Sequence, residues 1–121
     1  MKKAIPLYDE TAPIACSLTP EEIPARLATI ERMRTELASH ERTEHGLLLH
    51  FSPSAELESE LHQFALDEKR CCSFWGFDVR GDGPTRLALR WDAPPSAAGL
   101  VDQLEAFFAG DRPAEMLAGL L

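Results

Sequence analysis

The sequence predicts an α+β domain: a small, mainly antiparallel sheet of three or four strands, with two or three helices packed on one face. Three observations predict it. Three segments place apolar residues at helical spacing, and three shorter ones alternate at strand spacing. The turn Gly81-Asp82-Gly83-Pro84 joins two of the alternating segments as a hairpin. The order helix, strand, helix, hairpin, helix keeps strands few and helices segregated, the α+β pattern. It leaves room for a minor parallel pairing through the second helix.

Each element has its own signal. Residues 1–13 read as a lead-in, with a short extended piece at Ile14 to Leu18. Thr19-Pro20-Glu21-Glu22 is a helix start with a Thr-x-x-Glu capping box and Pro at the first helical position. Ile23, Leu27, Ile30 and Leu37, with Met33 nearby, extend helix one to about Ser39. Pro24 removes a backbone bond in the second turn, so the regular helix can begin there instead. Residues 40–46 read as a loop. Gly46 to Phe51 is a strand with Leu47, Leu49 and Phe51 on one face. Helix two spans Ala55 to Arg70 on the stripe Leu57, Leu61, Phe64, Ala65, and Glu68 is the next position on that stripe. Phe74 to Arg80 and Arg86 to Trp91 form the hairpin strands, with Trp75, Phe77, Val79, Leu87, Leu89 and Trp91 inward. Ser96 caps a third helix reaching about Ala109. The 121 residues are expected to form one domain, with its core at 14–109 and a tail or short helix at 110–121.

Composition excludes several functions. Twelve Lys+Arg against twenty Asp+Glu give a net charge of −8 with no basic run. Nucleic-acid binding rests on basic residues that displace counterions from phosphates, so no nucleic-acid partner is expected. An anionic membrane surface is disfavoured for the same reason. The longest apolar runs fall far short of the ~20 residues that span a bilayer. The N-terminus starts like a signal n-region but turns acidic without a hydrophobic core. Three cysteines, an odd number, fit a disulfide framework poorly, so the expected compartment is a reducing cytoplasm.

The cysteines carry the chemistry. Cys71 and Cys72 are adjacent at a helix-to-strand junction, and Cys16 precedes the helix-one cap, where the helix's partial positive charge favours a thiolate. Glu68 lies three residues before Cys71 and four before Cys72. A carboxylate in line with an apolar stripe is expensive unless it is paired or has a role. A salt bridge to Lys69, Arg70 or a helix-one arginine would supply the pairing. If the loop before helix one meets the end of helix two, three thiols converge. Thiolates favour Hg(II), Cu(I), As(III) and zinc-like ions over hard ions. Three thiolates suit trigonal Hg or As, whereas Zn needs a histidine or Glu68 as a fourth ligand. The histidines, His40, His45, His50 and His62, have no ligand-like spacing and read as solvated. There is no nucleophile elbow, Gly-rich phosphate loop or HExxH, and no organic cofactor is evident.

Cys16 with the flanking Ile14-Ala15 and Ser17-Leu18, then Glu22-Ile23-Pro24-Ala25-Arg26, resembles the opening of a small bacterial family. Glu68-Lys69-Arg70-Cys71-Cys72-Ser73-Phe74-Trp75-Gly76-Phe77 is similar to its second half. The pattern is a cysteine before helix one, then Glu-x-x-Cys-Cys-x-Phe and an aromatic strand. Similar segments are appended to some heavy-metal-responsive regulators of the MerR type. The resemblance covers about residues 14–108 and implies soft-metal or metalloid binding at Cys16, Cys71, Cys72 and Glu68. No helix-turn-helix segment is present, so DNA binding is not implied.

The leading expectation is therefore a cytoplasmic three-cysteine site for a soft metal or metalloid ion. The alternatives are a thiol redox or mercury-processing enzyme using Cys71, Cys72, Cys16 and Glu68, and an interaction module whose cysteines are core. In that last case the apolar tail Met116 to Leu121 is a face for a partner or a homodimer.

Overall fold

The computed structural model describes residues 21–71, 74–82 and 84–110, with Cys71 described in its backbone only. The described residues form three α-helices, α1 (Ile23–Glu36), α2 (Ala55–Cys71) and α3 (Ala98–Phe108). Four strands, β1 (Leu37–Arg42), β2 (Gly46–Phe51), β3 (Gly76–Gly81) and β4 (Leu87–Asp92), form one sheet in the order β1-β2-β4-β3. Every pairing is antiparallel, so the sheet among the described residues has no parallel pair. The α2 crossover returns the chain to the far edge as β3, and β4 then fills the gap beside β2.

Register sets which residues face the helices. Leu47, Leu49 and Phe51 of β2 lie opposite Trp91, Leu89 and Leu87 of β4, and all six are buried. On the far side of β4, Phe77 and Val79 oppose Trp91 and Leu89 and pack on the same core. Ile30 and Met33 of α1, Leu57, Leu61 and Phe64 of α2, and Val101, Leu104, Phe107 and Phe108 of α3 complete it. All three helices thus cover one face, and the alternation read from β2 and β4 is the alternation observed.

The largest departure is at the first helix. The chain leaves the helix at Glu36, and Leu37 is already extended (φ −69, ψ 125). Residues expected as the last helical turn and a loop form β1 instead. Leu37 continues the helical spacing from Met33, which hides the switch in the sequence. Pairing with β2 overrides that local preference, with an irregularity between Leu37 and Ser39 where the ladder begins. The edge strand is anchored at its far end, where the Arg42 guanidinium donates to Asp102 and Glu105 of α3 at 2.7 and 3.2 Å.

Smaller differences have local causes. Helix α1 starts at Ile23, with Pro24 in its first turn, where a missing N–H removes no intrahelical bond. The Thr19-Pro20 capping signal straddles the boundary of the described residues: Thr19 and Pro20 fall outside it, and Glu22 takes the cap position without a side-chain cap bond. Ser96 does not cap α3, because Pro95–Ala97 form a 3-10 turn that leads into the helix. The strand expected from Phe74 starts at Gly76, and Phe74 and Trp75 are buried in the turn before it. The tail at 111–121 lies outside the described residues.

Candidate functional site at the end of the second helix

Helix α2 is amphipathic by sequence, and its inner stripe runs as read: Leu57, Leu61 and Phe64 are all but fully buried. One further turn brings Glu68 to the same line, and Glu68 is 0% exposed. Helical periodicity therefore forces a carboxylate into the core. There it is met by Arg26 of α1, itself buried, whose Nη1 donates to Glu68 Oε1. The expected pairing to a helix-one arginine is thus found, in the interior rather than at the surface. Arg26 shares the α1 stripe with Ile30 and Met33, at spacings of four and seven residues, and that spacing was the available signal for it.

The surroundings are aromatic. The Arg26 guanidinium lies 5.9 Å from the centroid of Phe64. Phe64 packs edge-on against Phe77 and Trp91, at 5.8 and 5.5 Å between centroids. Trp75 meets Trp91 edge-on at 5.4 Å, and Phe74 lies 4.4 Å from Trp75. These rings exclude water, and two polar atoms in this region have no hydrogen-bond partner: Glu68 Oε2 and Trp91 Nε1. Burial pushes the Glu68 carboxyl above its ordinary value, and the charge and hydrogen bond of Arg26 only partly counter this. A half-satisfied buried carboxylate is costly, and such an atom in a native fold calls for an explanation.

The described end of α2 is tied to the sheet. Helix α2 continues through Cys71, one turn past Glu68, and the Lys69 ammonium donates to the Trp75 carbonyl at 2.6 Å. That bond ties the last turn of α2 to the residue before β3. A cavity of about 400 Å³ opens between α2 and the start of β3, lined by His62, Ala65, Leu66, Lys69, Gly76 and Phe77. Leu66, on its rim, is the exposed large apolar side chain of α2, at 67%.

Of the four expected site residues, the structure places Glu68 in full and Cys71 by its backbone. Cys16, Cys72 and the Cys71 side chain lie outside the described residues. Among the described residues no group of three or more His, Cys, Asp or Glu side chains could hold a metal ion. The histidines are less solvated than expected: β1 turns His40 inward with a buried Nδ1 that has no partner, and His45 and His50 are half-buried. His62 is exposed on α2, within 3.9 Å of Glu58 and nine residues before Cys71. No described helix is long and apolar enough to cross a membrane.

No protein-family model, curated protein or solved structure matches this chain. The geometry at the end of α2 therefore stands as the basis for a functional reading.

Proposed function

We propose that this protein binds one thiophilic ion, mercury(II)- or arsenite-like, at the C-terminal end of α2. Cys71 and Cys72 are the core ligands, Cys16 is the third thiol, and Glu68 is a fourth ligand or orients one. The observation that carries this reading is the unpartnered Oε2 of a fully buried Glu68, one helical turn before the cysteine pair. A soft cation held nearby would satisfy that oxygen and offset the repulsion between the carboxylate and ionised thiols. Binding releases protons, because the thiols must ionise.

Titration with Hg(II) tests it. Thiolate-to-metal absorbance should saturate at one ion per chain, and replacing Cys71 or Cys72 by Ser should weaken binding sharply. Full affinity in Cys16→Ser would remove Cys16 from the site. The same buried carboxylate suits a second reading, a thiol redox or mercury-processing enzyme, as proton acceptor for a low-pKa cysteine. A reversible native disulfide would favour that second reading, and a thiol pKa near the free value of ~8.5 would exclude it.

A further inference from the structure

We infer that the sheet face turned away from the helices carries a second, separate binding site, for a small phosphate monoester-type anion. The register builds it. Ala88 and Arg90 alternate on β4 with the inward Leu87, Leu89 and Trp91 and so point to the outer face, and Arg86, immediately before the strand, lines the same hollow. Ala88 lies opposite His50 of β2 and Arg80 of β3, and Arg90 lies opposite Leu48 and Asp78. A methyl group at the centre of longer neighbours leaves a hollow. Its volume is about 230 Å³, and its lining is Leu48, Asp78, Arg80, Arg86, Ala88 and Arg90.

Three guanidinium groups gather around one hollow in a chain whose net charge is −8. Two of them hold carboxylates. Arg80 Nε donates to Asp78 at 2.6 Å, and Arg90 donates to Asp92 through Nε at 3.2 Å and Nη2 at 2.7 Å. The terminal nitrogens of Arg80 remain without a partner, and Arg86 has no ion pair among the described residues. Asp78 and Asp92 thus offset Arg80 and Arg90, and Arg86 is the guanidinium of the three that no described carboxylate pairs. A planar carboxylate is satisfied by one guanidinium fork, whereas a tetrahedral dianion can accept from several directions at once. Arginines on three sides fit the second geometry. The Leu48 and Ala88 floor suits a small organic group carried by the phosphate.

The arginine Nε–Hε signals of the full chain, followed by NMR at 0.15 M salt, test this directly. Phenyl phosphate should move the Arg80, Arg86 and Arg90 signals together on one saturating curve, with inorganic phosphate weaker and acetate not saturating. Arg86 is exposed, so Arg86→Ala should leave the fold intact and weaken phenyl phosphate binding at least ten-fold. Asp78→Asn should tighten it, because a competing carboxylate is removed. A linear drift equal to that of exposed Arg70, unchanged affinity in Arg86→Ala, or looser binding in Asp78→Asn would overturn the site. Equal saturation by acetate would overturn the phosphate assignment.

Discussion

Replacing Arg26 by Met removes the guanidinium that faces Glu68 and lies over Phe64, while keeping an unbranched apolar stem at the buried position. Glu68 then has two options: to stay ionised in an aromatic interior, or to take up a proton. The second sets the ceiling on the damage. The ordinary value for the carboxyl is 4.5, so pH 7 lies 2.5 units above it. At about 1.36 kcal/mol per unit, keeping it protonated costs about 3 kcal/mol at pH 7 and about 0.7 kcal/mol at pH 5. The sign follows from the direction of the shift. A carboxyl raised in the folded state favours folding at low pH, and that contribution is lost as pH rises above 4.5 through the raised value. Urea denaturation of Arg26→Met should therefore show a loss of about 2–3 kcal/mol at pH 7 that shrinks below about 1 kcal/mol at pH 5. Adding Glu68→Leu should recover most of the loss, because an apolar pair of similar volume replaces a buried ion pair at little cost. A pH-independent loss, or a loss under about 0.5 kcal/mol at pH 7, would refute the reasoning.

Three further substitutions have defined outcomes. Glu68→Gln should flatten the fall in stability with rising pH above 4.5, read as a smaller slope of unfolding free energy against pH. It should also lower the Cys71 and Cys72 thiol pKa values in the metal-free protein, measured by thiolate absorbance, since a neighbouring negative charge is removed. Gly46→Ala should destabilise by about 2–4 kcal/mol in chemical denaturation, because a Cβ there would sit 2.0 Å from the Trp91 carbonyl oxygen of the paired strand. Leu89→Ala, at a fully buried position of β4, should cost about 2–5 kcal/mol and leave any mercury stoichiometry at one.

The strands β2, β3 and β4 and the second and third helices were legible because each follows a single period. The alternation at Leu47, Leu49 and Phe51 and the stripe Leu57, Leu61, Phe64 name the inner faces correctly, and extending that stripe by one turn reaches Glu68. β1 was not legible. Its residues Leu37-Ala38-Ser39-His40-Glu41-Arg42 alternate poorly, and as an edge strand they bury little, so nothing local distinguishes them from a helix end and a loop. Arg26 was hidden for a different reason. A charged residue on an apolar stripe is ordinarily read as flanking it, and only its partner across the core, 42 residues later, explains its burial. The outer-face arginines follow from strand parity at Arg86, Ala88 and Arg90, but strand order was needed to bring Arg80 beside them.

In the proposed site, Glu68 and the cysteine pair act together on one soft cation. Mercury retention by the full chain against excess glutathione tests it most directly, because a lone or accidental thiol loses mercury to a large excess of competing thiol. The native chain should retain one Hg(II), Cys71→Ser and Cys72→Ser should lose it, and Glu68→Gln should retain it measurably more weakly. No retained mercury in the native chain, or retention unchanged by Glu68→Gln and by either cysteine substitution, would contradict it.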